Sequence, residues 1–503
     1  MNLAMLLEMA AGSFGEREAV RCGEVAFDYA GLERAVRAAA DAIAASGCRH
    51  AALLDETSPA VPIGLFAAAW AGVPFVPLSY RLTDTELDAL LERIAPAHVV
   101  TTASRAPALA GRAALHAVPS DAWLSRLAAV AAPDPGAWPD DADAPAVLLF
   151  TSGTTGTPKA AVLRHRHLVS YILGSVEFGA AGEDEATLVA VPPYHIAAMA
   201  AVLSSVYAGR RIVQLPRFDA RAWIALAARE RATHAFLVPT MLARIVDVLA
   251  QEPTPLPALR AIAYGGGKMP LPVIERALAL LPHVDFTNAY GLTETSSTVA
   301  LLDPEAHRTA HAATDPLMRR RLASVGRALP SVEIEIRDAE GKPVPAGERG
   351  EVCVRGEQVA GEYLGRGSQL EGDGWFATRD AGFLDEDGFL FLEGRLDDVI
   401  VRGGENLSPG EIEDALRDHA AVADCAVVGV PDEQWGEAVA AAVVLHEGAR
   451  ASADELRAWV RERLRSSRVP ERIEFRDALP YTETGKLLRR RVRADLAGET
   501  PAP

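Results

Sequence analysis

Cysteine is scarce in this chain: four in 503 residues. Cys22, Cys48, Cys353 and Cys425 are scattered, with neither metal-ligand spacing nor the density of a disulfide framework. That excludes a disulfide-stapled scaffold and fits a reducing, cytoplasmic setting. Positive charge is also short, since 50 Lys and Arg face 68 Asp and Glu and leave a formal net charge of -18. Nucleic-acid affinity comes chiefly from clustered basic side chains, so no nucleic-acid partner is expected, and an anionic substrate must meet local positive charge. The amino-terminal run MNLAMLLEMAA lacks a basic leading segment and is interrupted by Glu8, which argues against a signal peptide. Residues 58–80 carry no charge at all and could imitate a membrane span, but Pro59, Pro62, Pro74 and Pro77 break the run. It reads instead as a buried helix over 63–71, a break at Gly72 and a short strand over 74–78, so no transmembrane segment is expected. Internal repeats and long low-complexity tracts are absent.

What is present is ordinary for a globular enzyme: 49% hydrophobic and 23% charged residues, in a length that suits about three domain-sized lobes. Apolar spacing predicts a helix over 29–45 and strands over 144–150, 187–191, 211–214, 234–238 and 259–263, with helical patterns between them. Residues 102–143, rich in Ala, Pro and Asp, read as peripheral helices and loops. Such alternation predicts an α/β protein with a large, mostly parallel sheet covered by helices. From residue 332 the texture changes. Alternation over 332–336 and 350–355, broken by turn residues, predicts a β-rich subdomain of antiparallel hairpins. Ser408-Pro409-Gly410-Glu411 reads as a capping box that opens a helix, and the last hundred or so residues form a small α+β domain.

The chemistry gathers in polar clusters after predicted strands. Residues 151–159, TSGTTGTPK, have no apolar face to bury. Gly153 and Gly156 permit tight turns, the hydroxyls of Thr151, Ser152, Thr154 and Thr155 supply donors, and Lys159 adds a point charge, which together suit a polyphosphate. The spacing is not that of a Walker A loop, because only two residues separate the glycines and Ala160 follows the lysine. VPPYH places Tyr194 and His195 at a strand end, and VPT does the same with Thr240. YGGGKMP brings three successive glycines, Gly265, Gly266 and Gly267, which a strand or helix would not choose, and NAYGLTET sets Tyr290, Thr293 and Glu294 in one tight turn. Together they look like the rim of one nucleotide site.

The ordered set TSGTTGTPK, YGLTE, GWFATRD, GRLDDVIVRGGENLSPGEIE and TGKLLRR resembles the adenylate-forming superfamily of acyl-CoA synthetases, adenylation domains and luciferases, and the resemblance spans the chain. It implies an N-terminal domain over 1–396 holding the ATP and acyl sites, and a small mobile domain over 397–503. It also implies two steps: a carboxylate attacks the α-phosphate of ATP with release of pyrophosphate, and the acyl-adenylate is then captured by the thiol of coenzyme A or a pantetheine arm. By that resemblance Glu294 would hold Mg²⁺ and Thr293 the α-phosphate. Tyr290 would face adenine opposite Gly265, Gly266 and Gly267. Asp380 and Arg395 would hold the ribose, and Lys486 would reach the carboxylate and α-phosphate. Asp397 matches the hinge position, and Gly403 and Gly404 match a loop that lines the pantetheine tunnel. His195 reads equally as an acyl-site gate or as a packed histidine.

Three residues depart from the family pattern. Ala160 stands for a usual glycine and is tolerated if φ is negative. Arg379 replaces the usual glycine before the ribose aspartate, adding bulk and charge, and Lys268 stands where a small residue or proline is common and either meets solvent or pairs a second acidic group on the substrate. The expected activity is an ATP- and Mg²⁺-dependent acid:CoA ligase. A stand-alone adenylation enzyme loading a separate carrier protein, another use of the acyl-adenylate, and a non-catalytic nucleotide sensor are the alternatives. The identity of the acid (fatty, aryl or dicarboxylic) and a homodimeric state are left open.

Overall fold

The computed structural model describes residues 1–112, 114–129, 136–151, 158–402, 405–432, 434–482 and 487–498. The chain falls into two compact units, Met1–Glu333 with Val354–Phe376, and Ile334–Cys353 with Ala377–Pro503.

In the first unit a nine-stranded sheet and an eight-stranded sheet carry the helices. The interior of the nine-stranded sheet is parallel, from the strand Glu18–Cys22 through Arg211–Gln214, Ala186–Val189, His234–Leu237 and Ala261–Gly265 to Asp285–Leu292. Antiparallel partners close both of its ends. The expected strands of this region are therefore present, shifted by at most a few residues. The helix Tyr29–Ala45 has the expected bounds; the Asp28 carboxylate caps it, accepting the Gly31 N–H at 2.5 Å. The uncharged run is explained by burial on every side: in the helix Ala60–Ala71, all residues from Ala60 to Trp70 are buried, and the strand Phe75–Pro77 follows beyond Gly72. A helix apolar all round belongs in a protein core. Among the described residues no helix is long and apolar enough to cross a membrane.

One expectation for the eight-stranded sheet fails. Residues 102–143 are not only helices and loops, because Leu115–Pro119 pairs in parallel with Ala97–Thr101 and forms the edge of the eight-stranded sheet. An edge strand half-open to solvent and ending in proline has neither a hydrophobic run nor clear alternation to reveal it.

The second unit holds a four-stranded sheet, built from Glu333–Arg337, Gly350–Arg355, Phe376–Leu384 and Leu390–Arg395, and a five-stranded sheet around the long hairpin of Val422–Asp432 and Gly436–Leu445. Helices Pro409–Arg417, Ala453–Arg463 and Arg489–Ala497 belong to the same unit, as the α+β reading expected. Pro409–Arg417 starts at the predicted place, but not through a capping box. The Ser408 hydroxyl donates to the Glu393 carbonyl at 2.8 Å, and the Glu411 carboxylate is drawn to Arg468 at 2.7 Å. Both side chains found stronger tertiary partners than the local backbone. Deeper in the unit the buried Glu413 carboxylate accepts both terminal nitrogens of Arg489 and the Val427 N–H at 2.8 Å. Burial alone would raise this carboxyl, and the Arg489 hydrogen bonds and charge more than offset that, holding it below its ordinary range. All four cysteines are free thiols.

Candidate active site

The site of the first unit is assembled at strand ends. Ala261–Gly265 and Asp285–Leu292 run in parallel with Gly265 opposite Ala289, which brings the glycine run beside Tyr290. Gly265 thus lies within a strand, contrary to expectation, and close packing is the reason. A Cβ on it would stand 2.2 Å from the Ala289 carbonyl oxygen, so the neighbouring backbone can approach only a glycine. Gly266 follows at φ +80°. Gly265→Ala should therefore destabilise the protein by about 1–3 kcal/mol, the usual cost of overpacking. A urea midpoint equal to the parent's would show that the strands can part at no cost.

NAYGLTET is likewise not a single turn. Asn288, Tyr290 and Gly291 continue the strand, and only Thr293–Thr295 forms a short 3-10 turn. The strand survives through Gly291 because the returning strand Ser297–Leu302 crosses directly over it, with the Ser297 carbonyl oxygen 1.7 Å from where a Cβ would be. The Thr295 hydroxyl and the Leu292 N–H close the turn at 2.9 Å, and Ser296 and Ser297 leave it at φ +56° and +112°.

That turn presents Glu294. Its backbone carbonyl accepts N–H groups from Ala360 at 2.8 Å and Gly361 at 3.0 Å, and its carboxylate accepts the Tyr363 hydroxyl at 2.5 Å. Lys159 Nζ sits 5.4 Å from the centre of the same Tyr363 ring, a cation–π distance. Tyr363 thus joins the lysine that ends the Gly/Thr stretch to the carboxylate of the YGLTE turn. Three strands make this meeting: Pro145–Thr151 pairs with Lys159–Arg164, setting Thr151 opposite Lys159, and Glu362–Tyr363 pairs with the latter strand through Ala161. Ala160 is buried in regular strand opposite Phe150, without positive φ, so the departure from glycine is accommodated. Ser152, Gly153, Thr154, Thr155 and Gly156 lie outside the described residues.

Two residues of this arrangement escaped the sequence reading. Tyr363 stands in a two-residue strand with no motif around it. Gln358, buried, donates its amide to the Thr295 carbonyl at 3.1 Å and the Thr298 carbonyl at 2.7 Å, tying the glutamate turn down. Neither has a local spacing signal.

His195 precedes the helix Ile196–Ala208 and packs on Tyr194 with ring centres 4.7 Å apart; Tyr194 in turn meets Tyr80 at 5.7 Å. Burial pulls its pKa down to about 4, so the imidazole is neutral at pH 7. The Asn288 amide donates to the Ser324 carbonyl at 3.0 Å, and Lys268 is exposed.

The remaining candidates belong to the second unit. Asp380 and Arg395 lie opposite each other on paired strands and form an ion pair at 3.2 Å, with the guanidinium also donating to the Thr378 carbonyl at 2.7 Å. Asp397 sits in the 3-10 turn Leu396–Asp398. Gly403, Gly404 and Lys486 lie outside the described residues.

Residues 7–364 match the AMP-binding enzyme family, and residues 411–486 match the AMP-binding enzyme C-terminal domain. The chain belongs to the AMP-binding enzyme family. It is an enzyme of the adenylate-forming ligases, as the motif resemblance implied. A feruloyl-CoA synthase from Amycolatopsis sp is 36% identical over 484 residues, covering 94% of this chain and 95% of the relative. The amide bond synthetase McbA from Marinactinospora thermotolerans superposes with a TM-score of 0.86 at 30% identity, covering 98% and 99% of the two chains. O-succinylbenzoate coenzyme A synthetase from Bacillus subtilis, solved in complex with ATP and magnesium ion, gives 0.83 at 30% identity over 96% and 98%.

The donor set suits a family member of this kind. Among the described residues no group of three His, Cys, Asp or Glu side chains could hold a metal unaided. Magnesium commonly takes one or two carboxylates and completes its shell with substrate phosphates and water, and Glu294 is the carboxylate this turn would offer such an ion.

Proposed function

We propose that this chain is an ATP- and Mg²⁺-dependent acid:CoA ligase that activates a carboxylic acid as its acyl-adenylate and transfers the acyl group to the thiol of coenzyme A. The observation that carries this reading is the convergence of Lys159 and Glu294 on Tyr363, because it gathers a cation and a hard-metal ligand from two separate motifs at one place. The names of its relatives, a feruloyl-CoA synthase and an o-succinylbenzoate coenzyme A synthetase, support a CoA thiol as the acceptor and a carboxylate as the substrate.

In this reading Thr151, Ser152, Thr154, Thr155, Lys159 and the amides of Gly153 and Gly156 hold the β- and γ-phosphates, stabilising the charge that builds as pyrophosphate leaves. A magnesium ion held by Glu294 would neutralise phosphate oxygens, with Thr293 beside it on the α-phosphate. Tyr290 and the Gly265, Gly266 and Gly267 backbone enclose adenine. Asp380, oriented by Arg395, accepts the ribose hydroxyls. Lys486 approaches the carboxylate and the α-phosphate as two anions are brought together, and His195 lines the acyl side as a neutral ring. The domain over 397–503 then turns about Asp397, withdrawing Lys486 and bringing Gly403 and Gly404 to the pantetheine arm.

Pyrophosphate release measured over a panel of fatty, aryl and dicarboxylic acids, with and without coenzyme A, tests the assignment. Release that depends on the acid and forms a thioester when coenzyme A is present is expected. Acyl-adenylate that accumulates untouched by coenzyme A would favour a carrier-protein or amine acceptor instead.

The pivot has its own test. Proline at 397 locks φ and disfavours the helical backbone of the preceding residue, which Leu396 adopts in its 3-10 turn. Asp397→Pro should therefore depress one half-reaction more than tenfold beyond the other, since a proline conflict of about 3 kcal/mol exceeds one decade in rate. Pyrophosphate exchange and thioester formation, measured separately on the folded variant, decide it; parallel loss in both, or no loss, counts against the pivot.

A further inference from the structure

Arg379 has an anomalous backbone. Its φ is +64°, in the left-handed region that side chains with a Cβ rarely occupy and glycine occupies freely. The family's usual glycine at this place is thereby explained, and an arginine here is held against its own preference. What holds it is visible: the Arg379 N–H donates to the Glu351 carboxylate at 2.9 Å, and its guanidinium donates to Asp397 Oδ1 at 2.7 Å. Strained backbone persists where the surroundings over-determine it, and such places cluster at switches and sites.

The partner is the significant part. Asp397 is the residue read above as the pivot, and its neighbour Asp398 is also engaged, with Arg489 Nε 3.4 Å from its carboxylate. The two arginines differ in kind. Arg489 begins the helix Arg489–Ala497 and is anchored on the buried Glu413, so its hold on Asp398 belongs to the C-terminal fold itself. Arg379 comes from the strand Phe376–Leu384, next to Asp380, and its pair with Asp397 is open to solvent, the side chains 60% and 42% exposed. Such an exposed pair can break and reform at small cost.

We propose that Arg379 is a positioning residue that latches the pivot turn through Asp397, so that the Arg379–Asp397 pair opens each time the C-terminal domain changes its half-reaction. This rests on the reading of Asp397 as the pivot. The latch is a property of this chain's own arginine, since a glycine at 379 has no side chain to form it. It acts on the population of the turn conformation and not on the reacting atoms.

Arg379→Gly removes the side chain and suits the φ of +64°, so the variant should melt no lower than its parent. With purified variant, pyrophosphate exchange and thioester formation from supplied acyl-adenylate are measured from about 0.01 to about 1 M salt, a range over which the Debye length falls from about 30 to about 3 Å. The ratio of the two rates should shift about two- to fivefold from the parent's at low salt, the span of one exposed ion pair, and return to the parent's value at high salt. Arg379→Lys, which keeps the charge, should restore much of the parental ratio at low salt. A ratio equal to the parent's at every salt concentration overturns the latch. A change confined to the KM for ATP also overturns it, because Arg379 would then be a nucleotide contact beside Asp380. Asp397→Pro measured alongside keeps the two readings apart. Selective loss there, with Arg379→Gly matching its parent, removes the latch and keeps the pivot. Parallel behaviour of both half-reactions in both variants removes the pivot and the latch together.

Discussion

Lys486→Ala abolishes acyl-adenylate formation and leaves thioester formation from supplied acyl-adenylate near the parental rate: this is the expected result if Lys486 acts in the first half-reaction alone. The size follows from charge. A carboxylate and an α-phosphate repel as they meet, and one cation about 4 Å away in a site of effective dielectric near 20 is worth about 4 kcal/mol, or roughly a thousandfold in rate. In the second half-reaction the carboxylate charge is already gone and the attacking group is a thiol, so the same lysine has no such pair of anions to bring together. Pyrophosphate exchange reports the first step and thioester formation from synthetic acyl-adenylate reports the second. Equal loss in both would mean that the lysine supports the fold or both steps, and the division of labour would be wrong.

Glu294→Gln is expected to slow adenylation by at least ~10²-fold and to raise the magnesium concentration required, the scale of losing one group aimed at developing charge. A hard cation prefers charged carboxylate oxygen, and an amide oxygen of the same shape has lost the charge. The substitution is otherwise mild. The turn is held by the Glu294 backbone carbonyl, which takes the Ala360 and Gly361 N–H groups, and a glutamine carbonyl can still accept the Tyr363 hydroxyl. The loss should therefore appear in magnesium-dependent pyrophosphate exchange and not in the unfolding midpoint. Exchange unchanged at saturating magnesium would remove Glu294 from the metal site, and a large fall in stability would reassign it to holding the turn.

Where periodicity or turn chemistry is local, the elements were legible beforehand. The helix Tyr29–Ala45, the parallel strands Arg211–Gln214 and His234–Leu237 and the burial of the uncharged run all follow from patterns a few residues wide. The failures share a cause. Leu115–Pro119 is a strand because Ala97–Thr101 offers it an edge, Gly265 is a strand residue because Ala289 crowds it, and Ser408 caps nothing because Glu393 is near. In each case a partner distant in the chain overrode the local preference, by supplying hydrogen bonds or by removing the room for a side chain.

The same division runs through the site. Residue chemistry in short motifs was enough to nominate Lys159, Glu294 and Tyr290 as candidates, because phosphate, metal and base each demand a particular kind of group, and a motif carries that group in a few consecutive letters, whereas Asp380 and Arg395 were nominated by the family resemblance. The same resemblance marked Arg379 as out of place. Only the folded chain decided that Tyr363 bridges Lys159 to a glutamate 69 residues before it, that Gln358 ties down the turn beside that glutamate, and that Arg379 reaches Asp397. Those contacts are set by which strands become neighbours in a sheet, a choice made by the burial of whole sheet faces, and no spacing along the chain records it.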